Sequence, residues 1–175
     1  MTLDFSNGRS VSVCGFKEEG TNQIKVSEFD VFDCANGKSL TQFHAMQSCY
    51  IKTKKDTLVI KLLKMLPAGE NWKLIPVQIS EQLITLKNKE LKVTNLQPIL
   101  NTDFSINKKN QVEFITNLKN ETVKDNIGKL EVLSLLGNIE AWNILEKLEI
   151  NELDGSIYKQ WEDAISNVKG IKNLN

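Results

Sequence analysis

The single histidine and the three cysteines are the side chains of this chain best suited to covalent chemistry. Because no second histidine is present, a conventional nucleophile–base pair would have to use His44 as its base. Asp30 or Asp33 could orient that base. The candidate nucleophiles are Cys14, Cys34 and Cys49. No local signature of a cysteine hydrolase surrounds them, so a Cys-His hydrolase centred on His44 is an alternative and not the main expectation.

The same four side chains are the natural candidates for a metal site. Structural zinc sites usually draw ligand pairs from positions about two to four residues apart. Here the nearest pair, His44 and Cys49, is more widely spaced, and no CxxC motif occurs. An odd number of cysteines without such spacing is typical of reduced, buried thiols in a cytosolic protein. We therefore expect no metal and no cofactor.

Paired carboxylates for acid–base catalysis have little support. Glu28 and Asp30 would share one face of a strand, whereas Asp33 would lie on the other, so a solvated sheet face explains them. The sequence contains neither a dinucleotide-binding glycine motif, a P-loop, a GxSxG elbow nor an HExxH pair. An enzyme is therefore not the favoured interpretation.

The overall charge argues against polyanionic partners. Lysine plus arginine and aspartate plus glutamate number 22 each, so the net charge is zero. Arg9 is the one arginine, and the guanidinium group is what usually binds phosphate in bidentate fashion. No secretory signal and no run of 18 apolar residues is visible. We expect a cytoplasmic protein that binds neither nucleic acid nor membrane.

Charge is unevenly distributed along the chain, and this is its most informative feature. Residues 1–105 carry 13 basic and 11 acidic residues, whereas residues 106–175 carry 9 and 11. The contrast is sharpest over 131–163, with 8 acidic against 2 basic side chains, while 52–64 holds five lysines and one aspartate. One interpretation is internal compensation between basic strands and acidic helices. The functional interpretation is an acidic docking face for a basic partner.

The functional interpretation assigns partner binding to the acidic segment. Trp142 is included because tryptophan is common at interface hot spots, whereas Trp161 is expected in the core. The predicted partner-binding residues are Glu131, Glu140, Trp142, Glu146, Glu149, Glu152 and Asp154. Reversing Glu146, Glu149 and Glu152 to lysine would test them.

These features favour a non-enzymatic protein-binding protein. Heavy use of lysine and asparagine with little arginine suggests an AT-rich bacterial genome. Small cytosolic proteins with an acidic helical face and no catalytic set resemble toxin-neutralising immunity proteins or adaptors. That resemblance implies a basic protein partner, such as a toxin. A sheet domain that binds a small ligand is a further alternative.

The elements that must carry these residues divide into strands and then helices. Alternation at Val11 and Val13 predicts a strand, and Asn36-Gly37 predicts a hairpin turn of type I′. Segment 57–66 fits either state, and we favour a strand. Residues 83–86 and 91–96 predict a hairpin with a four-residue polar connection.

From residue 106 the apolar residues recur at helical spacing. A first helix is predicted to extend to Thr122 and Val123, and the last to begin at an N-cap Ser156 and end before Gly170. The predicted fold class is α+β, with a mostly antiparallel N-terminal sheet followed by a C-terminal helical bundle or hairpin region. We expect a β-rich region over 1–105 and a helical region over 106–175, packed as one compact unit.

Overall fold

The structure, a computed structural model, describes residues 1–6, 8–17, 24–99, 104–118, 122–148 and 154–172. The chain divides into two compact units. The first comprises 1–64 and 78–99, and the second comprises 65–77 and 100–175. The segment 65–77 thus belongs with the helices, although the sequence places it in the strand-rich region.

Within the described residues, eight strands form one sheet, in which the first seven lie side by side in chain order and the eighth pairs with the sixth. The strands are β1 Thr2–Asp4, β2 Ser10–Lys17, β3 Ile24–Asp33, β4 Ser39–Lys54, β5 Thr57–Leu66, β6 Ile75–Lys87, β7 Glu90–Val93 and β8 Gln97–Pro98. Short connections join antiparallel neighbours, as expected when no long crossover is available. The predicted antiparallel N-terminal sheet is confirmed.

The core of the first unit forms from alternate residues of its strands. Val11 and Val13 of β2 are buried as predicted, while Ser10 and Ser12, which alternate with them, are partly exposed. The rings of Phe29 and Phe43, which face each other on β3 and β4, stack with centroids 4.9 Å apart. The ambiguous segment 57–66 is a strand, because its register with β4 buries Leu58, and the same face buries Ile60.

Two hairpin turns differ from the prediction, one in type and the other in length. The hairpin between β3 and β4 forms, but only Gly37 of the Asn36-Gly37 pair has a positive φ, so the turn is not type I′. Instead, the Asp33 carbonyl accepts from the Gly37 amide at 2.8 Å. Between β6 and β7, pairing extends to Lys87 and Glu90, which leaves a two-residue connection. Both of those residues, Asn88 and Lys89, have positive φ, as a type I′ turn requires.

Four α-helices lie in the described part of the second unit: α1 Lys108–Asn117, α2 Ile127–Leu135, α3 Ile139–Glu146 and α4 Gly155–Lys172. Single 3₁₀ turns occur at Glu70–Trp72 and Lys124–Asn126. Buried Leu130, Leu133, Leu145 and Ala164 form the helical core, against which Trp161 packs. The indole nitrogen of that tryptophan donates to the Leu145 carbonyl at 2.8 Å.

The helix limits correct three predictions. Helix α1 ends at Asn117, so Thr122 and Val123 lie outside it. The cap of α4 is Asp154 and not Ser156. The Asp154 carboxylate accepts from the Ser156 and Ile157 amides, and the Tyr158 amide donates to the Asp154 carbonyl. Gly170 lies inside α4, which continues to Lys172.

The observed architecture is α+β, as predicted, with the helices C-terminal to the sheet. Among the described helices, none combines the length and apolar character needed to cross a membrane. The prediction that the two regions pack as one compact unit stays a prediction.

Gly15 tests the close packing of β2 on β3. A β-carbon at this position would lie 2.6 Å from the Glu28 carbonyl oxygen and 2.7 Å from the Phe29 α-carbon, closer than nonbonded atoms pack. We expect Gly15→Ala to lower the free energy of unfolding by about 1–3 kcal/mol, measured by urea denaturation. Gly155→Ala is the control, because a β-carbon there meets open space. Equal midpoints for both variants would contradict this packing.

Candidate functional site

Helix α3 carries the exposed part of the predicted acidic face. The helix begins after Asn138, whose side-chain oxygen accepts from the Ala141 amide at 2.9 Å. Ala141 and Leu145 are fully buried and fix which side of α3 faces the core. The side chains exposed on the opposite side are Ile139, Glu140, Asn143 and Glu146. They follow helical spacing, and we call them the α3 stripe.

The α3 stripe combines two carboxylates with an exposed apolar side chain. Ile139 is 73% exposed, the largest fraction among the large hydrophobic residues that the structure describes as exposed. Leu136, three residues earlier, is also exposed. An isoleucine in water between polar neighbours gains nothing for folding, whereas it contributes apolar area when a partner covers it. The stripe therefore presents one apolar side chain to solvent together with two exposed carboxylates.

Glu131 does not belong to this surface. It is fully buried on α2, and its carboxylate accepts from the side-chain amide of Asn167 at 2.9 Å. A buried carboxylate of this kind contributes to the packing of α2 against α4 and cannot meet a partner. The sequence prediction for Glu131 is therefore wrong, because α2 is buried on sides that a simple amphipathic pattern leaves to solvent.

The other predicted partner residues have different positions. Trp142 is half-buried and packs against the helical core. Asp154 is exposed, but its carboxylate caps α4 by accepting from the Ser156 and Ile157 amides at 3.0 Å. These hydrogen bonds, the Ile157 bond foremost, lower the pKa of Asp154. Glu149 and Glu152 lie outside the described residues.

The cysteines and the histidine do not form an evident reactive pair. Cys14 lies on β2, two strands from His44 on β4, and neighbouring strands are about 4.8 Å apart. Cys34 lies in the turn after β3. Cys49 is fully buried, and that burial raises the pKa of its thiol to about 12, which disfavours the thiolate a nucleophile needs.

The candidate carboxylates of the sheet are equally separate. Asp33 is buried and forms an ion pair with Arg9 at 2.5 Å, which gives it a structural role. Asp30 faces Cys14 across the β2–β3 register. In the part of the chain that the structure describes, no three His, Cys, Asp or Glu side chains are placed to hold a metal ion.

A cavity of about 460 Å³ in the second unit was not predicted from the sequence. It is lined by Asn71, Trp72, Asn110, Glu113, Phe114, Asn117, Leu118, Thr122, Asn126 and Lys129. We call it the Trp72 cavity. The rings of Trp72 and Phe114 lie 5.1 Å apart at an angle of 55°. The Lys129 ammonium lies 5.5 Å from the first ring centroid and 5.1 Å from the second.

Three separate segments build the Trp72 cavity. Asn71 and Trp72 come from the 3₁₀ turn after β5, and both have positive φ, 52° and 62°. One face of α1 contributes residues at positions 110, 113, 114 and 117, and Leu118 follows directly after the helix. The start of α2 and the turn before it supply Asn126 and Lys129. No sequence pattern predicts that these segments meet. The Asn-Trp pair in a turn and the repeated asparagines on one helix face are the only local features of the site that the sequence contains.

The placement of the thiols predicts an ordered reaction with iodoacetamide. Cys14 and Cys34 are exposed, whereas Cys49 is buried and its pKa is raised to about 12. At pH about 8 we expect two adducts on the folded protein and a third only after denaturation, measured by mass spectrometry of the intact chain. Alkylation of Cys49 as fast as Cys14 in the folded protein would contradict its burial.

The Asp154 cap predicts a pH dependence of helix stability. Because the pKa of Asp154 is lowered from 3.8 in the folded state, its stabilisation is present above that value and is lost as pH falls through the folded pKa. We expect Asp154→Ala to lower Tm at pH 7, with the difference from the parent protein narrowing below pH about 4. The measurement is thermal unfolding followed by circular dichroism.

Asp154→Ser is the matched control, because serine caps a helix without titrating in this range. Its Tm should therefore exceed that of Asp154→Ala at every pH. A difference between parent protein and Asp154→Ala that does not change between pH 7 and pH about 3 would show that the carboxylate does not act as the cap.

Comparisons with protein-family models, with curated proteins and with solved structures find no match to this chain. Function must therefore be argued from the sites themselves, since fold class alone does not assign it. Two sites of the second unit have definite chemistry: the α3 stripe and the Trp72 cavity.

Proposed function

We propose that this chain is a non-enzymatic protein-binding protein that docks a basic partner through the α3 stripe. The observation that carries the proposal is Ile139, 73% exposed and next to Glu140, with Glu146 two turns further along the same helix. An apolar side chain supplies contact area, and flanking carboxylates select a partner with complementary charge.

The charge of the surrounding sequence supports this choice of partner. Over 131–163 acidic side chains outnumber basic ones by 8 to 2, and one of the eight, Glu131, is buried. The remaining acids still exceed the basic residues by a wide margin. Such a field raises the rate at which a basic partner associates and makes that rate sensitive to salt.

The size of the stripe limits what it can do alone. A helix of eight residues is about 12 Å long, whereas a standard interface buries about 800 Å² on each partner. Partner contacts must therefore extend beyond α3. Leu136, exposed just before α3, is the nearest such candidate in the chain, and Trp142, half-buried within α3, can add apolar surface beside the stripe.

We further propose that the partner belongs to the toxin class and that the chain acts as an immunity protein or adaptor in the bacterial cytoplasm. This part of the proposal rests on the acidic helical segment of the sequence. A toxin that acts on nucleic acid carries a basic surface, which an acidic protein can cover.

Charge reversal on the α3 stripe tests the docking proposal. We expect Glu140→Lys/Glu146→Lys to lower the association rate of the partner about tenfold or more, because it replaces attraction by repulsion at the contact. The partner is first captured from the native host on immobilised protein, then purified and measured by surface plasmon resonance at two salt concentrations. Ile139→Ser should separately increase the dissociation rate.

Glu70→Lys/Glu90→Lys is the matched control. It makes the same change of net charge at two exposed residues outside the four α-helices. We expect it to keep the partner, and circular dichroism should show all variants folded. If the Glu140/Glu146 variant binds as tightly as the parent protein, or if both double variants lose the partner equally, the α3 stripe is not the docking surface.

A further inference from the structure

We propose that the Trp72 cavity binds one unit of a neutral saccharide. This site lies apart in sequence from the α3 stripe and does not depend on the docking proposal. The inference follows from three properties of its lining: two tilted aromatic faces, several carboxamides, and charges that offset each other.

The aromatic pair favours a ligand with one apolar face over a planar ring that would stack between two parallel side chains. Trp72 and Phe114 are both partly exposed, and their planes meet at 55°. A planar base would prefer parallel rings on its two sides, whereas the C–H bonds of a sugar ring need only one aromatic face, which here must be a face that the Lys129 ammonium does not cover. The geometry therefore favours a puckered ring that is apolar on one side.

The polar lining matches hydroxyl groups. The carboxamides of Asn71, Asn110, Asn117 and Asn126 line the cavity. The Asn110 amide also donates to Asn71 and the Asn126 amide to the Thr122 carbonyl, so a ligand would use the donors and acceptors that remain. A carboxamide has both donors and acceptors, and a hydroxyl group likewise donates and accepts. A ring that carries several hydroxyl groups can therefore satisfy these side chains in more than one orientation. A purely anionic ligand would use only the carboxamide donors, and a purely cationic ligand would use only the acceptors.

The charges of the cavity indicate that the ligand is neutral. Glu113 and Lys129 contribute one charge of each sign. The Lys129 ammonium lies over both rings, where the cation–π interaction holds it at the wall. Glu113 would repel an anion and Lys129 would repel a cation. Neither is therefore favoured over a neutral molecule that hydrogen-bonds to both side chains.

The backbone at the cavity is held in a costly conformation. A bulky residue such as Trp72 with a φ of 62° is uncommon, and such residues concentrate at functional sites. The side chain of Asn110 donates to the Asn71 side-chain oxygen at 3.4 Å, which links α1 to this turn. The volume of about 460 Å³ lies within the range of roughly 300–1,000 Å³ found for small-molecule sites.

Nuclear magnetic resonance titration of the full chain tests the proposal. The probes are the methyl glycosides of glucose, galactose, mannose and N-acetylglucosamine, their β-1,4-linked disaccharides, and adenosine, each up to about 10 mM. We expect saturable shifts of the Trp72 indole signal and of the side-chain amide signals of Asn110, Asn117 and Asn126 with at least one sugar. No saturable shift with any sugar, or saturation by adenosine alone, would overturn the proposal.

Substitutions in α1 show whether the cavity itself is the site. We expect Phe114→Leu to weaken sugar binding about tenfold by removing an aromatic face, and Asn117→Ala to weaken it about fivefold by removing hydrogen bonds. Thr116→Ala is the control, because Thr116 lies on the same helix but does not line the cavity. Asn117 is exposed, so its variant is expected to fold even if Phe114→Leu does not.

The outcomes separate this proposal from the docking proposal. Glu140→Lys/Glu146→Lys should bind the sugar as the parent protein does, since neither residue lines the cavity. Sugar shifts that persist unchanged in both Phe114→Leu and Asn117→Ala would place the binding elsewhere on the chain and overturn the assignment of this cavity.

Discussion

The burial of α2 on nearly every side is the constraint on which the helical unit depends. Leu130, Val132 and Leu133 have no exposed surface, and the residues between and after them, Glu131 and Ser134, are also buried. Burying a leucine side chain contributes about 2 kcal/mol, so this helix supplies a large part of the free energy that holds the unit together. Its neighbours must therefore turn their apolar sides toward it.

Both candidate sites follow from that constraint. Helix α3 places Ala141 and Leu145 in the core, which leaves Ile139, Glu140 and Glu146 outside. Near the start of α2, Lys129 is partly exposed, and its ammonium lies over the rings of Trp72 and Phe114. A helix buried all round also has to place its polar residues against partners within the protein, which is why Glu131 meets Asn167.

The sequence predicted the strand and helix content well because local periodicity reports which face of an element is buried. Alternation in β2 and the stripe of α4 were read correctly for this reason. Turn and cap details were less accessible, since Asp154 and Ser156 are equally good caps by type and only the backbone path selects between them. The prediction that Glu131 lies on the acidic face was wrong because the charge of a side chain does not reveal whether it is buried. The Trp72 cavity was missed because three distant segments meet there, and no local pattern encodes that meeting.

The order of the strands in the sheet has a consequence for the folding of the protein. Each strand from β1 to β7 lies beside its neighbour in the chain, and two of the connections are only two residues long. Contacts between residues that are close in sequence lower the contact order, and hairpins of this kind form within about 1–10 μs. Each strand can therefore pair with the strand before it as soon as it has been synthesised, without waiting for a later part of the chain.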